Sequence, residues 1–409
     1  MRETGKEEGR DFLGELPFSM SWLKSVVLAG QGANGRGVQI QRFKAKVIGQ
    51  DRSWLSVMLR MELEWLPKVK ELPSTVIVKI PSPEFLAIDP SLAAEAFQYL
   101  LQSQTAEVAF YGLWKRCEPP LPVPRCLESR KLGLAAPSDA VLILEDLEPS
   151  AALVPFVDGL SLPQLEEVMT HLASLHAWSL SNPAKVANFE APSVGKLKPM
   201  VDFVARACPA LKETWPAYFD PAIDLLAEYA SSPHDLAYAL SSHDDLDLPA
   251  VLVHGDLWSG NLLFVKEQDG KAGDKLLAFI DWQNCRKGSP ADDLARIIWS
   301  STSAELRRHQ AENLLRLYFD TITQLLAPRE VPFDRGRLVK AYNHLTLYAV
   351  FYGIAHVTLT VSADPKTQGT AKTGKLEGLL ERAAAMLEDA IDFYHEAHQA
   401  DASEQNSFK

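Results

Sequence analysis

Cysteine is scarce in this sequence. The 409 residues hold 4, at positions 117, 126, 208 and 285, with no Cys-x-x-Cys pair. That excludes a disulfide framework and a thiolate zinc site, and leads us to expect reduced thiols in a cytoplasmic protein. Positive charge is in deficit too: 41 Lys and Arg against 53 Asp and Glu give a formal net charge of −12. Such a chain has no general attraction for nucleic acid or an anionic membrane surface, and neither is expected as a partner. The first residues, Met1 to Arg10, are charged and lack the apolar core of a signal peptide. Only one long uncharged run occurs. Positions 341–363 contain no Asp, Glu, Lys or Arg, about the length of a membrane span. Asn343, His344, Gly353, His356 and several threonines interrupt it, each costly in hydrocarbon, so a buried helix of a large soluble domain is expected. What is left, 47% apolar and 23% charged residues, is the composition of a globular chain long enough for two lobes.

The chain changes character near Glu148. Before it, Met20, Leu23, Val26 and Val27 fall at helical spacing, and then strands dominate. Leu55, Val57, Leu59, Met61, Leu63 and Trp65 occupy every second position, following a shorter alternation over Phe43–Val47 and preceding the apolar run Val76–Ile80. Period two over that length predicts strands. Glu95 to Cys117 reads as helix and Val141–Leu144 as a short buried strand. After Glu148 the pattern is mostly helical. Ser161-Leu-Pro-Gln164 opens a helix as a capping box with proline in the first turn. Later strand signals are confined to Val251–Val253, Leu262–Phe264 and Leu276–Ile280.

The densest chemical signal lies between the first two of those strands. His254-Gly-Asp256-Leu-Trp-Ser-Gly-Asn261 has the H-x-D-L-x-x-x-N spacing of a phosphotransfer catalytic loop. That chemistry needs an Asp to accept the proton of an attacking hydroxyl and an Asn further on to hold a metal ion that bridges phosphates. The third strand ends at Ile280-Asp281-Trp282, and a carboxylate at a strand end facing the loop suits a second ligand for Mg²⁺.

These residues, with Gln283 and Gly288-Ser-Pro-Ala-Asp-Asp293-Leu-Ala295, resemble the aminoglycoside phosphotransferase–choline kinase superfamily. His-Gly-Asp-Leu-Trp and Asp-Trp-Gln are most similar to its ecdysteroid-kinase-like (CHK-kinase-like) branch. The resemblance runs from Leu72 to the C-terminal helices. Asp-Trp-Gln departs from the Asp-Phe-Gly of protein kinases, and Gly255 and Gln283 depart from the Asn and Glu of choline kinases. The resemblance implies an α+β, bilobal, protein-kinase-like fold, with a small antiparallel-sheet N-lobe and a larger helical C-lobe. The segments expected are an N-terminal helix and connector over 1–37, an N-lobe over 38–148, a C-lobe over 149–398 and a flexible tail over 399–409. The implied activity is transfer of a phosphoryl group from ATP, with Mg²⁺, to a hydroxyl of a small molecule, with no protein partner evident. Asp256 is then the base, Asn261 and Asp281 the metal ligands, and His254 and Asp293 supports of the loop.

In the N-lobe, Lys79 sits on the Val76–Ile80 strand as the expected phosphate ligand, and such a lysine needs a carboxylate. Glu107, Phe110, Tyr111 and Trp114 fall at i, i+3, i+4 and i+7, which turns Glu107 inward with aromatics and in need of a cation. Glu95 is the alternative. Two glycine loops compete to cover the phosphates: Gly30 to Gly35 follows a helix, whereas 49–56 joins the first two strands, and we favour the latter, with Ser53 and Ser56 as hydrogen-bond donors. Glu145-Asp-Leu147 is the expected hinge, its Glu145 and Leu147 backbone bonding the adenine. Two other readings compete with the kinase one. A pseudokinase would bind nucleotide without turnover; a metal-dependent hydrolase would use His234-Asp235 and His243-Asp244. The acceptor is expected either on the aromatic face Tyr342, Leu345, Tyr348, Phe351, Tyr352 and His356, as a lipophilic alcohol, or as a polycation on Asp244, Asp245 and Asp247; the competing reading of the aromatic face is plain core.

Overall fold

The computed structural model describes residues 10–11, 16–32, 37–49, 55–82, 93–132, 140–191, 194–362 and 370–407. The chain divides into two units, 1–118 with 123–150, and 119–122 with 151–409. The first is built on an antiparallel sheet and the second is mainly helical, which agrees with the expected α+β class.

In the first unit the strands are β1 (Arg10–Asp11), β2 (Gln39–Ile48), β3 (Ser56–Leu66), β4 (Thr75–Pro81), β5 (Cys126–Arg130) and β6 (Val141–Glu145), in the sheet order β1-β2-β3-β4-β6-β5. Alternation in β3 explains the core. Leu59, Met61, Leu63 and Trp65 are buried with Val76, Val78 and Ile143, while Glu62 and Glu64 are exposed. Helix Met20–Gly30 lays Leu23, Val26 and Val27 on that face. The helix of the expected 1–37 segment thus adds to this unit's core, because an amphipathic helix must bury its stripe somewhere. In register, Met58 pairs Lys79 and Lys79 pairs Leu142, while Arg60 pairs Ile77 and Ile77 pairs Leu144. With period two these residues share the face opposite the core, and Lys79 stands on it.

The second unit holds β7 (Ala151–Leu153), β8 (Val251–Val253), β9 (Leu262–Lys266), β10 (Ala272–Phe279) and β11 (Arg286–Gly288). They form the sheets β10-β9-β7 and β11-β8. The capping box at Ser161 is present and opens helix Leu162–Ser181. Every residue of helix Asp292–Ser300 is buried, including Asp292, Asp293 and Arg296. Helix Thr346–Ser362, from the uncharged run, is buried over most of its length. No single helix among the described residues is long and apolar enough to cross a membrane; the pair Arg335–His344 and Thr346–Val361, bent by 48°, passes that test only together. The last helix, Thr370–Ser407, continues past the start of the tail expected from 399. No Gly or Pro interrupts it there, and Ala, Gln and Glu favour the helix.

Candidate active site

In the first unit, Lys79 Nζ donates to Glu107 Oε2 at 2.7 Å, across from β4 to helix Ala93–Cys117. Both residues are buried, with Phe110 and Tyr111 beside them on the helix. Ser56 opens β3 and is buried. Ser53 lies outside the described residues, as do the rest of 50–54 and of 33–36, so neither glycine loop is described whole. β2 and β3 do bracket the 49–55 connection, and Gly49 takes φ +63°, a left-handed conformation that suits glycine at the strand's end. Glu95 carries no described side chain.

At the end of β6, the Glu145 N–H donates to the Arg125 carbonyl at 2.9 Å. The Leu147 carbonyl accepts from Ser150 N–H at 3.0 Å and Oγ–H at 3.2 Å. Two of the four backbone groups of the expected hinge residues are thus spent inside the chain. Asp146, between them, is bound by Arg60 of β3: Nη2 donates to Oδ1 at 3.4 Å, and the charged Nε lies 2.9 Å from Oδ2. Sequence reasoning gave Arg60 no role.

The second unit brings the loop residues together. His254, Gly255 and Asp256 follow β8, and a single 3₁₀ turn, Ser259–Asn261, leads into β9. Asp293, in the first turn of helix Asp292–Ser300, accepts the backbone N–H of His254 at 2.6 Å and of Gly255 at 2.9 Å. Burial and the neighbouring Asp292 push its carboxyl up, and those two N–H donors pull it back. His254 Nε2–H donates to the Ile280 carbonyl at 2.9 Å, and its Nδ1 accepts the N–H of Asp256 at 3.2 Å. That pattern assigns the neutral ring with its proton on Nε2, in keeping with burial, which lowers its pKa. Trp282 packs on the His254 ring with centroids 4.6 Å apart.

Asn261 Nδ2–H donates to the Asp256 carbonyl at 2.8 Å, and Asn261's own carbonyl accepts the Ile280 N–H at 3.0 Å. Asp281 follows at φ +66°, a left-handed conformation that Asp tolerates better than most residues. Gly255, at φ +77°, cannot be replaced freely: a Cβ there would run into the Arg286 side chain and the Asn284 carbonyl. The Asp256 carboxylate is bonded by Arg296 Nη2, and its side chain is 14% exposed. Burial raises its pKa, against the charge of Arg296 and with the charge of Asp281.

Asn261 and Asp281 offer hard oxygen ligands. The amide nitrogen of Asn261 is committed to the loop, so its Oδ1 is the atom left for a cation, and with a carboxylate it makes a donor set that suits Mg²⁺. The two His-Asp dyads do not converge. His234 is exposed in the first turn of helix Pro233–Asp245 and pairs with its neighbour Asp235, whereas His243 is buried in the last turn. No cluster of three or more His, Cys, Asp or Glu that could hold a metal occurs among the described residues. Asp244, Asp245 and Asp247 are exposed, and Asp247 lies 3.9 Å from Arg337.

Comparison with known proteins yields a family model, DUF1679, described as "Uncharacterized oxidoreductase dhs-27", that matches residues 40–398. The chain is 25% identical over 328 residues to "Uncharacterized kinase-like protein D1044.1" of Caenorhabditis elegans, covering 77% of this chain and 84% of that protein. It is 24% identical over 247 residues to "Uncharacterized oxidoreductase dhs-27" of the same organism, covering 58% of this chain and only 29% of that protein. Among solved structures it is similar to a choline kinase from Cryptosporidium parvum, at 13% identity and a TM-score of 0.49, over 95% of this chain and 98% of that one. A Plasmodium vivax ethanolamine kinase is similar at 11% identity and a TM-score of 0.44, over 90% and 87%. With residues 40–398 matched, the greater part of its length, the chain belongs to the DUF1679 family.

Proposed function

We propose that this protein is a small-molecule kinase of the ecdysteroid-kinase-like type, cytoplasmic, which moves the γ-phosphoryl group of ATP to the hydroxyl of a lipophilic alcohol. The observation that carries the reading is the tie made by His254. It fixes the loop bearing Asp256 and Asn261 against the strand end bearing Asp281. Asp256 orients the acceptor hydroxyl and takes its proton on carboxylate. Asn261 and Asp281 hold Mg²⁺, which screens the phosphate charges when bound. Lys79, kept charged and in place by Glu107, neutralises phosphate oxygens, and the Glu145 carbonyl and Leu147 N–H meet the base. Positioning and electrostatics then do most of the catalysis.

A hydride-transfer reading, suggested by the family's description, meets a different topology. Dinucleotide sites of the common kind need a parallel sheet with a glycine turn between strand and helix. Here every strand pair among the described residues is antiparallel, and the run at Gly30 follows a helix. The lipophilic reading of the acceptor rests on helix Thr346–Ser362. Its Tyr352 and His356 meet Arg296 and Trp258 of the site, while the competing acidic run 244–247 is exposed at a helix end. The test is to incubate the protein with ATP, Mg²⁺ and a small-molecule extract and to look for mass gains of one phosphate. Gain on a neutral alcohol is expected; ATP turnover with no phosphorylated product would contradict the reading.

A further inference from the structure

Arg296 has surroundings that the family motifs do not explain. Its side chain is 1% exposed, its guanidinium carbon lies 3.6 Å over the ring of Tyr352, and its Nη2–H donates to Asp256 Oδ1. Its Nη1 is buried and has no hydrogen-bond partner among the described residues. A donor left unmet in a buried guanidinium is costly unless a bound group meets it. The next cation, Arg286, is already spent on Asp292 Oδ2 at 2.5 Å and on the Asn284 carbonyl at 3.3 Å. Asp293 is spent on two backbone N–H groups of the loop.

Beside Arg296 and Tyr352 lies a half-buried aromatic cluster that begins at Trp258, two residues beyond Asp256. Trp258 and His356 stack with centroids 4.2 Å apart and planes at 19°, and Phe156 meets both edge-on at 5.5 and 5.9 Å. Helix Thr346–Ser362, which supplies Tyr352 and His356, carries no charged residue. Asp281 is set aside for the metal in the reading above, so the side chain bonded to the Asp256 carboxylate, which a cationic acceptor would meet there, is itself a cation.

We propose that Arg296 is a positioning and specificity-determining residue. It holds Asp256 by one carboxylate oxygen, leaves the other for the acceptor hydroxyl, and turns the site toward neutral, oxygen-bearing alcohols and away from cationic ones. The spare Nη1–H donates to a second oxygen of the acceptor. This rests on the phosphotransferase reading above, and it goes further by naming the residue that selects the acceptor by charge.

The experiment compares wild type, Arg296→Lys and Arg296→Met on a neutral steroid diol, choline and kanamycin, and on water as acceptor (ATP hydrolysis). Binding of a fluorescent ATP analogue is measured alongside. Wild type should favour the diol over both cations by about tenfold or more in kcat/KM. Arg296→Met should lose about tenfold or more in kcat on the diol, with analogue affinity held within about twofold. It should also narrow the diol-to-cation ratio by about tenfold, and added guanidinium should restore part of its kcat. Arg296→Lys should keep the ratio, since it keeps the charge, while losing kcat with the fork geometry. A merely structural role would slow all acceptors alike and would not answer to guanidinium. A wild type that prefers choline or kanamycin overturns the inference even if the variants do not fold. So does an unchanged ratio in Arg296→Met. Hydrolysis of ATP with none of the three alcohols accepted overturns the acceptor class alone, and analogue binding with no transfer even to water overturns the phosphotransferase reading itself.

Discussion

His254 donates its Nε2–H to the carbonyl of Ile280 at 2.9 Å. One neutral imidazole thus ties the turn that carries Asp256 to the strand end that carries Asp281, residues 25 positions apart in the chain. Because Nδ1 is occupied by the Asp256 N–H, neither ring nitrogen is left to act as a base. His254→Gln, which can reproduce one of the two bonds, should lower kcat by about 10-fold while leaving Lys79 and its partner unaffected. Steady-state kinetics beside nucleotide binding would check it; unchanged kcat would remove His254 from the site's framework.

Lys79 and Glu107 are both buried, so each needs the other. Lys79→Met should cost about 3–5 kcal/mol of stability, because it takes from the buried Glu107 carboxylate the cation 2.7 Å away. The double variant Lys79→Met, Glu107→Leu should recover most of that stability and none of the nucleotide affinity. Denaturant melts of the four proteins in the cycle give the coupling. Additive losses would mean the pair is not energetically coupled.

Gly255→Ala tests the backbone of the loop. The left-handed φ and the closeness of the Arg286 side chain and Asn284 carbonyl both oppose a Cβ. A loss of about 1–3 kcal/mol is expected, with a larger fall in kcat than in nucleotide affinity. A stable, fully active alanine variant would show that the loop relaxes more easily than its packing implies.

Three histidines with lowered pKa values contribute to the pH dependence of folding. Burial lowers the pKa of His176 to about 3, of His356 to about 3, and of His254 below its usual value. A histidine whose folded pKa is lowered is neutral in the fold and charged when unfolded. Its contribution is full above pH 6.5 and is lost as pH falls from there toward the folded value. Asp293, raised to about 6, acts with the opposite sign and offsets part of the loss below that pH. Stability measured by urea titration should therefore fall between pH 7 and pH 5. His176→Leu should flatten the slope by about 1 kcal/mol per pH unit over that range, and a slope identical to wild type would mean that this ring is not held neutral.

Much of the fold was legible where periodicity was strong. The alternation from Leu55 to Trp65 became β3, and the Ser161 capping box opened its helix. Strands β5, β7 and β11 were not legible. Cys-Leu-Glu-Ser-Arg and Arg-Lys-Gly have no strand pattern of their own, and they pair because β6 and β8 offer them an edge. The Lys79–Glu107 contact was legible because helical spacing turned a carboxylate into an apolar face and the kinase reading called for a carboxylate partner of Lys79, with Glu95 as the alternative. Arg296 was missed, since its partner Asp256 lies 40 residues back and only the buried helix Asp292–Ser300 joins them. A signal was present: Asp293 and Arg296 are spaced i, i+3, so the residue that braces the loop's backbone and the one that braces its side chain share a helix face.

The most direct test of the account is single-turnover transfer of labelled γ-phosphate from ATP, in the presence of Mg²⁺ and a small-molecule extract, by wild type and Asp256→Asn. The substitution keeps the shape of the side chain and removes the carboxylate that the proposed function makes the base. Wild type should label an alcohol, and Asp256→Asn should bind the nucleotide as well as wild type while losing about 100-fold or more of that transfer. Transfer by Asp256→Asn at the wild-type rate would contradict the account.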